Sequence, residues 1–120
     1  MKNFKQLKVW ELARLVAAEV YLVCKELDRE DGYIFSSQMT RAAISIPSNI
    51  AEGASRTSKK DFKRFLEIAL GSSFELETQV LIFSDLGLSA GDDIKSILEK
   101  NDEVQKMLYG LIRTLRTHEN

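Results

Sequence analysis

Apolar residues recur along this chain at alternating three- and four-residue steps, in four separate runs. The first is Val9, Ala13, Val16, Val20, Val23 and Leu27, widened by Leu12, Leu15 and Leu22. The third reads Phe62, Leu66, Ala69, Ser73, Leu76, Val80 and Phe83, and the fourth Ile94, Ile97, Asn101, Val104, Leu108, Leu111 and Leu115. Such spacing keeps one face of a helix turned inward along its length, as bundle packing requires. The second run, Phe35, Met39, Ala42, Ile46 and Ile50, holds its stripe across Pro47. A proline inside a helix removes one hydrogen bond and clashes with the carbonyl four residues back, here that of Ala43. Two outcomes compete. The unbroken stripe favours a kinked continuous helix; the other is a break and restart, with Asn49 and Glu52 in capping-box spacing.

Polar residues punctuate these runs. Asp28-Arg29-Glu30-Asp31-Gly32 is expected to end the first helix, with Gly32 free to adopt positive φ. Ser58 followed by Asp61 predicts an N-cap for the third helix. Leu86-Gly87-Leu88 closes that helix, and Ser89 or Asp92 is expected to cap the fourth. The helices therefore fall at about 7–28, 34–56, 59–86 and 92–117, in a single domain spanning 1–120. Short connections make sequential neighbours antiparallel, so the fold class is all-α, an up-down-up-down antiparallel four-helix bundle. Asn101, inside an apolar stripe, is expected to fix register. Ala69, Gly71, Ser72 and Ser73 on the third helix, with Ala42, Ala43 and Ser45 on the second, are small enough for close helix approach.

Composition narrows the chemistry. The 120 residues are 44% hydrophobic and 29% charged, as in an ordinary globular domain. Seventeen Lys and Arg against eighteen Asp and Glu leave a net charge of -1. With a pI near 5.9, no global basic excess marks a nucleic-acid binder. A single Cys and a single His furnish neither an intrachain disulfide nor a zinc site, so no metal and no cofactor are expected. The first eight residues lack a signal peptide's apolar core. The stretch from Leu12 to Cys24 is interrupted by Arg14 and Glu19 and falls short of a bilayer span. The expected location is cytoplasmic, away from membranes.

Catalytic parts are scarce. His118 lies in a tail that normally frays. Cys24 beside Val20 and Val23 reads as a buried, inert thiol. Ser45, Ser48, Ser72 and Ser73 have no histidine base, and Glu75 and Glu77 point to different sides of a helix. No phosphate-binding glycine loop occurs. The chain is read as a non-enzyme.

Charge is distributed unevenly. From Arg41 to Leu66 there are six cations (Arg41, Arg56, Lys59, Lys60, Lys63 and Arg64) against Glu52 and Asp61, a balance of +4. From Asp85 to Glu103 six acids face two lysines, a balance of -4. Lys59 with Lys63, and Lys60 with Arg64, are like-charge i,i+4 pairs, each opposing the helix by about 0.2–0.5 kcal/mol. They also crowd a helix N-terminus, where the macrodipole disfavours cations. Two broken local rules at one place mark a candidate phosphate-binding patch; a solvated face, or a contact with the acidic segment of another copy, is the plain alternative. Phe4, Leu7 and Trp10 crowd the N-terminus beyond what a helix start needs. Self-association through them competes with simple plugging of the bundle end.

The run Gln38-Met39-Thr40-Arg41-Ala42-Ala43-Ile44-Ser45-Ile46-Pro47-Ser48-Asn49-Ile50-Ala51-Glu52-Gly53 resembles the signature of a bacterial four-helix-bundle family. That family was first noted as reading frames within intervening sequences of 23S ribosomal RNA genes. It also includes the accessory variability protein of diversity-generating retroelements. Leu7-x-Val9-Trp10 and Phe65-Leu66-x-Ile68-Ala69-x-Gly71-Ser72-x-x-Glu75-Leu76-Glu77 match further family marks. The resemblance implies a ring-like homopentamer, with Arg41, Pro47, Asn49, Glu52 and Gly53 at signature positions. In the retroelement branch it implies binding of a reverse transcriptase and of nucleic acid through basic surface. The expected function is thus a non-enzymatic oligomer associated with RNA or DNA through the basic patch. The alternative is a structural module that recruits a polypeptide encoded nearby, without nucleic acid.

Overall fold

A computed structural model describes residues 3–27, 29–88 and 91–117, with side chains described for all of these but 29–32 and 117. A short 3-10 turn, Phe4–Gln6, leads into α1 (Lys8–Lys25), followed by α2 (Arg29–Ala54), α3 (Lys59–Asp85) and α4 (Gly91–Thr117). No strand occurs among the described residues. Each helix packs on the next and α4 returns to α1, while the diagonal pairs stay apart. The result is an antiparallel four-helix bundle, 50 × 20 × 19 Å.

The inward stripes meet in one continuous core. Val16 and Val20 of α1, Met39 and Ile46 of α2, Leu66 and Leu76 of α3 and Val104 and Leu108 of α4 are fully buried. In the last turns of α4 the stripe shifts, so that Ile112 is buried and Leu111 is only half-buried. A period of about 3.6 residues drifts away from a strict three-four alternation over a long helix.

Helix ends follow local chemistry, with three departures from the sequence expectation. The Ser58 hydroxyl accepts from the Asp61 amide at 3.1 Å, capping α3. At the other end Gly87, at φ 67°, lets its own amide reach the Ser84 carbonyl and that of Leu88 reach Phe83, a Schellman closure. However, α2 begins at Arg29, so Gly32 lies inside a helix and does not end one. Asp92 sits in the first turn of α4 and does not precede it; Ser89, the other candidate cap, lies outside the described residues.

The third departure concerns glycine. Gly71, expected at a close approach, is exposed, with nothing within 4 Å of an added Cβ. The close approach is at Gly53, where a Cβ would stand 2.7 Å from the Cβ of Phe65 and 3.0 Å from the Phe62 ring.

Helix α2 runs through Pro47 without restarting, and the proline is buried. The Asn49 carboxamide turns back toward the preceding turn, donating to the Ser45 carbonyl at 2.8 Å and its hydroxyl at 3.0 Å. That hydroxyl meets the Ser72 hydroxyl of α3 at 2.9 Å. The signature segment therefore ties the proline turn to the α2–α3 seam.

Candidate nucleic-acid interface

The corner where α2 ends and α3 begins gathers five of the six cations singled out in the sequence. Gly53 lets Phe62 and Phe65 lie close against α2, and Ser58 sets the direction in which α3 leaves. Phe65 is buried, yet its ring is flanked by two cations. The guanidinium groups of Arg56 and Arg64 each lie 4.8 Å from its centroid. Arg56 is also held by Glu52 of the preceding turn at 3.1 Å. Stacking on a ring fixes a guanidinium while leaving N–H groups for a planar anion. Lys59 and Lys60 are exposed on the first turn of α3, and Lys63 is half-buried one turn on.

Arg41 does not join this corner. It lies thirteen residues before Ala54, the last residue of α2, roughly 20 Å along the α-helical rise, with Arg56 beyond that end, and it faces a groove between α1 and α2. The signature positions thus perform separate tasks. Pro47 and Asn49 shape the α2–α3 seam, Glu52 orients Arg56, and Gly53 admits the Phe65 ring.

The topology biases charge along the bundle, although Glu11, Glu52 and Asp61 lie at the corner end and Lys25 and Lys95 at the other. Exposed Lys5, Lys8, Arg56, Lys59, Lys60, Arg64, Arg113 and Arg116 lie toward the end holding the α2–α3 corner. Exposed Glu26, Asp85, Asp92 and Asp93 lie toward the other. A net charge of -1 conceals this separation.

Phe4, Leu7 and Trp10 are half-buried and pack against the core. Phe4 meets Trp10 edge-on with centroids 5.0 Å apart, and the Arg14 guanidinium lies 5.0 Å from the Trp10 ring. Large apolar side chains stand exposed elsewhere: Leu15 and Leu22 on α1, Ile44 on α2, and Phe74, Leu81 and Ile82 on α3. Leu15 and Leu22 lie two turns apart on one outward face. The sequence showed that the α1 arc was wide but not which of its leucines the bundle would leave outside.

Two further interhelical polar clusters lie on the seams of α4. Glu19 of α1 accepts from the Ser96 hydroxyl of α4 at 3.0 Å and pairs with Lys100, whose ammonium also reaches Ser96 at 2.8 Å. Through these contacts Lys100 clasps α1 to α4. On the other seam, the Gln105 amide donates to Glu77 at 2.8 Å. Burial pushes the Cys24 thiol above its ordinary range, an effect partly opposed by hydrogen bonds with Ser36 and Thr40. Among the described residues no group of His, Cys, Asp and Glu could hold a metal ion, and no helix is long and apolar enough to cross a membrane. His118 lies outside the described residues.

Fold and surface together define a small all-helical bundle protein whose charge is unevenly divided between its ends. The 23S rRNA-intervening sequence protein family matches residues 5–110, and the chain belongs to that family. Among solved structures it is similar to a Bacteroides thetaiotaomicron protein of unknown function from the S23 ribosomal protein family. The two share 27% identity with a TM-score of 0.81, over 87% of this chain and 97% of that one. A comparison with curated proteins returned no match.

Proposed function

We propose that this chain is a non-enzymatic, ring-forming accessory protein that holds RNA or DNA by its phosphate backbone at the α2–α3 corner. The carrying observation is the pair of arginines, Arg56 and Arg64, pinned on Phe65 at the edges of a nine-residue stretch with five cations and one acid, Asp61. Groups already immobilised in the free protein lose little entropy on meeting a phosphate. In a closed cyclic oligomer whose axis runs along the bundles, every copy turns the same end to the same face. A near-neutral chain then builds a strongly positive face, and avidity multiplies a weak single contact. The exposed leucines of α1 and the apolar residues on the flanks of α3 supply contacts between copies. By resemblance to the retroelement accessory branch the ring is a homopentamer, working in the cytoplasm.

The test is fluorescence anisotropy with a labelled RNA duplex over a salt series, beside light scattering for mass. If one corner's five cations each neutralise a phosphate, the log–log salt slope is roughly -4.5. The triple variant Lys59→Glu/Lys60→Glu/Lys63→Glu should lose binding while keeping its helical circular dichroism and its mass. Binding that ignores salt or survives the triple variant refutes the reading. An oligomer that binds no nucleic acid at low salt would instead favour the second reading, recruitment of a polypeptide encoded nearby, which the same exposed apolar flanks support.

A further inference from the structure

At the opposite end from the basic corner, α1 and α2 part to leave an open groove of about 490 Å³. Its floor is small and polar. Ser36 and Thr40 of α2 approach the buried Cys24 thiol where a bundle seam would ordinarily carry larger apolar residues. Lys25 and Arg41 line the groove, both exposed, and neither has an ion pair or hydrogen bond among the described residues. In this they resemble Lys59 and Lys60 of the basic corner and differ from Arg56, Lys95, Lys100, Lys106 and Arg116, each of which lies beside a carboxylate. No carboxylate is among the groove's described lining residues. Its walls carry two largely exposed phenol rings, Tyr21 at 56% and Tyr33 at 72%.

Each of these features selects a part of one ligand. Two cations with no ion pair among the described residues select an anion, and Arg in particular matches phosphate geometry. Accessible tyrosine faces give a flat heterocycle a stacking surface, worth a measurable share of affinity for any base. Aliphatic hydroxyls both donate and accept, as sugar hydroxyls and base edges require. The volume lies within the range of small-ligand clefts. The basic corner offers a different chemistry, because its aromatics, Phe62 and Phe65, are buried and leave only backbone phosphate to be held.

We propose that the α1–α2 groove binds a nucleoside monophosphate unit, supplied either as a free nucleotide or as an unstacked nucleotide of a single RNA strand. The phosphate lies between Lys25 and Arg41, and the base rests on Tyr33, the more exposed of the two rings. This site is independent of the duplex-holding corner, so either can fail alone.

The experiment is calorimetric titration of the full chain with AMP and with inorganic phosphate, and anisotropy with a short single-stranded pyrimidine RNA. Arg41→Ala and Tyr33→Ala both alter exposed side chains, and circular dichroism verifies that each variant keeps its helices. Each should weaken nucleotide binding about tenfold or more, while Lys59→Glu/Lys60→Glu/Lys63→Glu leaves AMP binding unchanged. AMP binding lost in both groove variants identifies a free nucleotide as the ligand. Binding of the single strand alone, lost in the same variants, identifies a strand. Inorganic phosphate binding as tightly as AMP, indifference to Tyr33→Ala or Arg41→Ala, or no binding of either probe at low salt overturns the proposal.

Discussion

The Ser73 hydroxyl donates to the Asn101 carboxamide oxygen at 2.6 Å, and the same carboxamide returns a bond to the Ser73 carbonyl at 3.0 Å. Both residues are buried in the core. The pair closes its hydrogen-bonding needs across the α3–α4 seam and defines one register, since sliding either helix by a turn would strand both side chains. Asn101→Leu removes the partner and leaves the Ser73 hydroxyl buried and unpaired, at an expected cost of about 1–3 kcal/mol. Urea unfolding should show it as a lowered midpoint. Ser73→Ala combined with Asn101→Leu should recover part of the loss, because a matched apolar pair leaves no orphan. A double variant as unstable as the sum of the singles would mean that the two side chains do not act together.

Gly53 and Gly71 provide a matched pair of tests on facing helices. An added methyl at Gly53 meets the Phe65 Cβ at 2.7 Å, a contact that only movement of α2 against α3 can relieve. Gly53→Ala is expected to destabilise by about 1–3 kcal/mol despite alanine's better helix propensity. Gly71→Ala meets nothing within 4 Å and should stabilise by roughly 0.5–1 kcal/mol. Thermal melts of the two variants should move in opposite directions. Should Gly71→Ala instead lower the melting temperature together with the solution mass, that face of α3 is covered by another copy.

Most of the bundle was legible because its information is local and periodic. Val16, Leu66 and Val104 lie at repeating intervals, and the cap at Ser58 and the closure at Gly87 depend on a few neighbouring residues. What was not legible depends on which helix meets which. The exposure of Gly71 and the crowding of Gly53 are indistinguishable in sequence, as both are glycines in helices with small neighbours. The start of α2 at Arg29 was hidden because Glu30, Asp31 and Gly32 suit a turn as well as a first helical turn. In the basic corner the cations were visible as a charge run. The shared ring at Phe65 was not, since Arg56 reaches it from the connection after α2 and Arg64 from within α3. Arg41 was grouped with them by sequence proximity alone, and the rise of α2 carries it away. The groove it lines combines Tyr21 and Lys25 from one helix with Tyr33, Ser36 and Thr40 from the next, so no single segment announces it.

The lysines that open α3 should be costly to the isolated bundle. Lys59 and Lys60 occupy the first turn of α3, where the macrodipole favours anions by about 0.3–1 kcal/mol per charge. Lys59→Glu/Lys60→Glu is therefore expected to raise the unfolding midpoint modestly while weakening RNA binding. Chemical denaturation and anisotropy on the same preparation would check it. Stability and binding falling together would point to a structural role for the lysines.

Cys24 gives the fold a pH dependence on the alkaline side. Its thiol sits at 5% exposure between α1 and α2, and burial raises its pKa above the ordinary 9.0 while Ser36 and Thr40 pull the other way. A raised value means that the folded protein keeps a proton the unfolded chain has already released. In the interval from about 9.0 up to the folded value the unfolded state binds fewer protons, so stability falls as pH rises through it. Below that interval the thiol contributes no slope. Two readouts follow from the same shift. Alkylation by iodoacetamide should be slow and should accelerate at higher pH than for an exposed cysteine, because only the thiolate reacts. Urea midpoints measured upward from pH 8 should decline less steeply in Cys24→Ala than in the parent chain. Since lysines and tyrosines also titrate in this range, the difference between the two proteins is the quantity that counts. An identical alkaline decline in both would show that the thiol's burial does not govern it.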